Sequence, residues 1–194
     1  MTAAKPKPRH SHIFAPESAS WYCEPEWCSR RLFAVETFPQ PVLDPSAGAG
    51  RVPDAAKAAG YQVLAADLVD RGYRGCKIQD FLRRRRMPAR SVVCNPPFDL
   101  AEQFAKHALC LGAEKVALIF PSARLHAAHW IHDMPLRRVW LMTPRPSMPP
   151  GQLILRGEKP GGGRVDFCWT IFVVGHVGPP ELRWLHRDDT GGRQ

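Results

Sequence analysis

The sequence predicts an α/β fold, a parallel sheet flanked by helices. Short β-branched runs alternate with amphipathic stretches from residue 41 to residue 175, which is the pattern of strand–helix–strand units. Several of the runs end in Asp or Asn followed by turn residues. At 194 residues with 44% hydrophobic side chains, the chain can bury a sizeable core and fits one domain.

The first strand is Pro41-Val42-Leu43, closed by Asp44-Pro45. A helix follows over 53–60, with proline suiting its first turn and Gly60 its stop. The second strand spans 62–66 and ends at Asp67, and a shorter third spans 76–79 and ends at Asp80. Ser91-Val92-Val93-Cys94 is the fourth, running into Asn95-Pro96-Pro97-Phe98. Asp99 and Glu102 have capping-box spacing for the next helix, whose inner face is Leu100, Phe104, Ala108 and Leu111. Residues 115–120 form the fifth strand, 122–131 a helix, and 138–142 and 167–175 the last two strands.

Residues 143–166 stand apart, with five prolines, five glycines and four basic residues in 24 positions. An irregular insert of that length inside a compact domain is usually functional or disordered. Residues 1–20 read as a mobile basic arm, 21–186 as the folded domain and 187–194 as a flexible tail.

Lys and Arg number 27 against 18 Asp and Glu, a formal charge of +9 that favours polyanionic partners. The apolar runs are too short to cross a bilayer, and no apolar stretch follows the basic start, so neither a membrane span nor a secretory signal is expected. The six cysteines form no Cys-x-x-Cys pair and are read as reduced, which places the chain in the cytoplasm.

Two segments carry the chemistry. Leu43-Asp44-Pro45-Ser46-Ala47-Gly48-Ala49-Gly50 is a strand entering a glycine turn, and Asn95-Pro96-Pro97-Phe98 ends another strand. In open parallel sheets ligands sit at the carboxyl ends of strands, so both segments line one cleft. Gly48 and Gly50 let backbone approach a ligand, and Asp67 stands where an acid holds ribose hydroxyls. No Gly-Lys-Ser/Thr follows the turn, which excludes a triphosphate loop. A carboxylate within the turn suits a cationic adenosyl ligand better than a pyrophosphate. The amide oxygen of Asn95 and the carbonyl of Pro96 can accept the two hydrogens of an exocyclic amino group. Phe98 offers a face for a base.

These segments resemble class I S-adenosylmethionine-dependent methyltransferases, in particular the amino-methylating DNA enzymes of the adenine-N6 type. The similarity covers residues 21–175 and implies a Rossmann-like, seven-stranded, mostly parallel sheet with helices on both faces and an antiparallel last strand. It implies S-adenosyl-L-methionine as cofactor, held by Asp44, Pro45, Ser46, Gly48, Gly50, Asp67, Leu68, Asp80, Phe81 and Asn95. Tyr22 and Pro25 belong to an amino-terminal element that resembles the family's, with Glu24 in place of its usual threonine. The implied catalytic motif is Asn95, Pro96, Pro97 and Phe98, methylating adenine in DNA. RNA or a protein glutamine is the alternative acceptor, and a catalytically silent binding module the alternative function. With no separate recognition domain, a stand-alone enzyme of a phage or mobile element is implied. Arg145, Arg156, Lys159 and Arg164 are the expected nucleic-acid contacts.

Arg83 to Arg86 reads equally as a phosphate track or a solvated helix end. His126, His129 and His132 recur every third residue without a His-Glu-x-x-His pattern, so no metal site is expected. Trp130, Trp140 and Trp169 read as core or rim aromatics.

Overall fold

The computed structural model describes residues 21–156 and 164–188. The arm at 1–20, Lys159 and the tail beyond Asp188 lie outside the described residues. Eight strands form one sheet: β1 (Val42–Asp44), β2 (Val63–Asp67), β3 (Lys77–Ile78), β4 (Ser91–Cys94), β5 (Lys115–Pro121), β6 (Leu136–Thr143), β7 (Phe167–Val173) and β8 (Glu181–His186). The order is β3-β2-β1-β4-β5-β7-β6-β8, and only β7 runs against its neighbours.

The seven expected strands are all present. The eighth, β8, pairs parallel to β6 and makes the outer edge, so the antiparallel strand β7 is the last but one. Its sequence hides it, because only Leu185 is buried while Leu182 and Trp184 face outward between charged residues.

Both faces of the sheet are covered, as near-continuous apolar strands require. Along β5, Val116, Leu118 and Phe120 join one core while Ala117 and Ile119 join the other. The first core packs against α3 (Ala101–Cys110) through Phe104, Ala105 and Ala108. The second lies under α1 (Glu26–Val35) and α2 (Arg51–Ala58), with Leu32, Val52 and the fully buried Trp169 at its centre.

The α1 helix was not expected, since its buried face is Cys28, Ser29, Leu32 and Phe33, half of it lacking a large hydrophobe. It ends at Glu36, whose buried carboxylate accepts from Lys115 Nζ at 2.5 Å, from Trp140 Nε1 at 2.8 Å and from the Arg138 guanidinium. Burial alone would raise this carboxyl, but bonds from Lys115 and Trp140 and the Lys115 charge outweigh it and hold the group below its ordinary range.

Two expectations for local structure change. Residues 122–133 form two 3-10 turns, Ser122–Ala127 and His129–Asp133, in place of an α-helix. A three-residue period explains this: Leu125, Ala128 and Ile131 point into the first core while His126, His129 and His132 stay exposed. Asp99 does not cap α3; its carboxylate takes Arg124 at 2.9 Å, and a 3-10 turn at Phe98–Leu100 leads into the helix. Among the described residues no helix is long and apolar enough to cross a membrane.

Candidate active site

The β1 strand delivers Asp44 to the carboxyl edge, and the chain turns through 45–50 into α2. Asp44 Oδ1 accepts the Ser46 amide at 3.0 Å, and Ser46 Oγ donates to the Asn95 carbonyl at 3.2 Å, so the two motifs are bonded to each other. The Gly48 amide donates to Asp67 Oδ2 at 2.9 Å, which fixes the turn against the end of β2. Asp67 Oδ1 accepts from the Val69 amide at 3.0 Å and faces Arg71 at 3.5 Å.

Gly50 has φ +88°, and a Cβ there would lie 2.1 Å from the Tyr73 ring. Tyr73 is held in place by its hydroxyl, which donates to Asp54 at 2.5 Å and accepts from Lys57 at 2.9 Å. Gly50→Ala is therefore expected to cost about 1–2 kcal/mol for the left-handed backbone alone. Urea unfolding checks it, and removing the ring in Gly50→Ala/Tyr73→Ala should recover only the steric part.

Asp44, Asp67 and Glu24 are all buried at this edge. Burial pushes the Asp44 carboxyl well above its ordinary value; the Ser46 amide opposes this, and the charges of Glu24 and Asp67 add to it. Burial also raises Glu24, against hydrogen bonds from its own amide, Asn95 and Ser29. Three carboxyl groups so placed hold a cation better than an anion.

A carboxyl whose folded pKa is raised makes the fold less stable as pH climbs through the interval above its unfolded value. Asp44→Asn keeps an acceptor for Ser46 and removes that charge. The variant should melt at a higher temperature than the parent at pH 8. The gap should close as pH falls toward about 4, the ordinary Asp range, in a melting series across pH.

Asn95 follows β4 and its side-chain amide is held from two sides. Nδ2 donates to the Tyr22 carbonyl at 2.9 Å and to Glu24 Oε2 at 3.0 Å. Both partners are acceptors, so the amide has one sensible orientation, which leaves Oδ1 as its acceptor. Pro96 is buried and Pro97 exposed. The half-buried Phe98 ring lies within 11° of parallel to Tyr22, with centroids 6.1 Å apart, and tilts against Phe167 at 5.5 Å.

The amino-terminal element reaches the site through backbone bonds to the insert. Cys23 donates to the Pro149 carbonyl at 3.0 Å, and Gly151 donates to the Trp21 carbonyl at 2.8 Å. Gly151 begins α4 (Gly151–Leu155), a short helix within the insert. A side chain on Gly151 would meet the Trp21 indole at 2.2 Å, and that indole also lies against Gly48 and under Arg71. Pro25 starts α1, its carbonyl accepting the Cys28 amide at 3.0 Å.

Hydrogen bonds thus join Tyr22, Glu24, Asn95, Ser46 and Asp44 in one set and Gly48 with Asp67 in a second, the two continuous through the turn. Other expected residues stand apart. Leu68 is exposed beside Asp67. Asp80 accepts the Leu82 amide at 2.9 Å and lies 3.6 Å from Arg83. The Phe81 ring turns into the first core against Phe104 and His107, so what it can offer a ligand is backbone. Arg145 pairs with Asp166 at 2.5 Å, closing the two ends of the insert, and Arg156 and Arg164 are exposed. Of the arginine run, Arg84 bonds Gln79 and Arg83, Arg85 and Arg86 are exposed. The hold of Glu24 on Asn95 was not foreseen; its signal is a lone carboxylate in Trp21-Tyr22-Cys23-Glu24-Pro25.

No family model and no curated relative matches the chain. Solved structures do share its fold. A protein of Pyrococcus horikoshii classed as an RNA methyltransferase is 18% identical over 76% of this chain and 79% of its own, with a TM-score of 0.53. A predicted O-methyltransferase from Agrobacterium tumefaciens is 16% identical over 83% and 85%, with a TM-score of 0.52. The tRNA (uracil-54, C5)-methyltransferase of Pyrococcus abyssi, solved with S-adenosyl-L-homocysteine, is 11% identical over 75% of this chain but 37% of its own, with a TM-score of 0.54. The likeness is one of architecture: the chain has the Rossmann-like fold of class I methyltransferases.

Proposed function

We propose that the domain at 21–186 binds S-adenosyl-L-methionine and methylates the exocyclic amino group of a nucleic-acid base, adenine in DNA first and RNA second. The observation that carries this reading is the clamped amide of Asn95, with Tyr22 and Glu24 taking its hydrogens.

The residues present fit the cofactor. Asp44 and Glu24 offer buried carboxyls to a cationic ligand, and Asp67 Oδ2, which takes one bond from Gly48, has acceptor capacity for ribose hydroxyls. When bound, the cofactor supplies a methyl group carried on a positively charged sulfur. Asn95 Oδ1 and the Pro96 carbonyl accept both hydrogens of the target amine, which frees its lone pair from the ring and turns it toward that methyl. Phe98 backs the base, and the charge of +9 supports a polyanionic substrate. A reducing cytoplasm is proposed as the setting, on the sequence ground that the six cysteines form no Cys-x-x-Cys pair.

Incubation with tritium-labelled S-adenosylmethionine tests the reading on adenine-containing DNA, adenine-free DNA, matched RNA and cell-extract protein. Label on adenine-containing DNA alone is expected. Label on RNA or protein keeps the transfer and changes the substrate. Cofactor binding without label anywhere would leave a binding module.

A further inference from the structure

A cavity of about 500 Å³ opens beyond Phe98 at the carboxyl ends of β5 and β6, lined by Ser122, Leu141, Thr143, Arg145, Phe167 and Trp184 among others. Phe167 also lines it, but its ring belongs with Leu185 and Trp169 to the core on the other face of the sheet, where it packs on Phe98 at 5.5 Å. The cavity therefore shares the carboxyl edge of the sheet with the candidate site of transfer, with β5, β7 and β6 standing between the end of β4 and Trp184 on β8.

Its outer wall is made by β8. Register places Trp184 opposite Leu141 and Leu182 opposite Val139, and the alternation of the strand sends Leu185 to the opposite, buried face. Trp184 is 58% exposed and Leu182 56%, a large apolar surface on a strand whose next residue is core. An indole left in solvent contributes little to folding but makes a broad flat platform.

Two arginines stand near it, each paired with an aspartate. Arg145 stands at the mouth, paired with Asp166, and its guanidinium has donors beyond that pair. The Arg187 amide donates to the Thr143 carbonyl at 2.8 Å, which brings a second arginine to the end of β6, its guanidinium on Asp188 at 3.3 Å. An aromatic platform flanked by arginines is the composition that binds single-stranded or extruded nucleotides through stacking and phosphate contact. A membrane or an acidic protein would match the charge but leave a lone indole beside an open cavity unexplained.

Resting on the proposed function, we infer that this cavity is a second nucleotide subsite: a base a few positions along the strand from the methylated one stacks on Trp184, with a phosphate on Arg145. The eighth strand thereby serves as the recognition element.

The test is binding of the full chain to fluorescein-labelled single-stranded DNA carrying one adenine, read by anisotropy, with no methyl transfer required. Trp184→Ala should weaken binding about 10-fold, within the range for loss of one base–aromatic stack, and Trp184→Phe should restore most of it. When one abasic nucleotide is moved stepwise along the strand away from the adenine, one position should weaken the parent by a similar factor and leave Trp184→Ala unchanged, since both remove the same contact. Equal affinity of the parent and Trp184→Ala overturns the subsite and leaves the methylation reading standing. A parent that binds no oligonucleotide overturns both. A Trp184→Ala change that alters only self-association, read by sedimentation, overturns the subsite in favour of an interface between copies.

Discussion

Asn95→Ala is expected to lower methyl transfer by about 10²–10³-fold, the usual loss when one oriented polar group at a reacting centre is removed. Cofactor affinity should change little. Alanine deletes the acceptor that faces the amine but leaves β4 and the glycine turn in place. The Tyr22 carbonyl and Glu24 Oε2 each lose one donor, while Glu24 Oε1 keeps the Ser29 hydroxyl at 3.4 Å. Single-turnover transfer and calorimetry with S-adenosylhomocysteine separate the two quantities. Undiminished transfer would remove Asn95 from the chemistry; a parallel collapse of affinity would make it a cofactor ligand only.

The largest effect on stability should come from Glu36→Ala. The carboxylate joins the end of α1 to β5 through Lys115 and to β6 through Arg138 and Trp140. Its removal takes an acceptor from three donors, two of them mostly buried cations that keep the Thr37 carbonyl and Glu181 as partners. Breaking a buried pair from one side costs about 3–5 kcal/mol, so a large fall in the urea midpoint is expected. The acid limb gives an independent check. Because the folded carboxyl is held below its ordinary range, its stabilisation is complete above the unfolded value of about 4.3 and is lost as pH falls below it. Glu36→Gln should therefore be clearly weaker than the parent at pH 7 and approach it near pH 3. A constant gap across that interval would show that the Glu36 charge contributes nothing.

The parallel half of the sheet was legible because strands buried on both faces read as continuous apolar runs. Val92-Val93-Cys94 and Val116 to Phe120 allow no other placement. The elements that escaped lack that signature. The inner face of α1 includes Cys28 and Ser29, and β8 buries one leucine beside an exposed tryptophan. At the candidate site, the positions of Asp44, Gly48, Asp67 and Asn95 were legible because each ends a strand or sits in a turn directly after one. Glu24 was not, because its partner Asn95 lies 71 residues away and no local spacing records the contact. Phe81 shows the converse: a position beside a polar turn indicates where a backbone lies, not which way its ring points.

The bonds between Trp21, Cys23, Pro149 and Gly151 also have a kinetic meaning. They latch two distant stretches of chain across the glycine turn, and neither stretch can lift while the other stays. The amides of Cys23 and Gly151 should consequently exchange with heavy water at one common rate, set by a single opening event. Those two amides are a clock for how often the turn beneath them is uncovered.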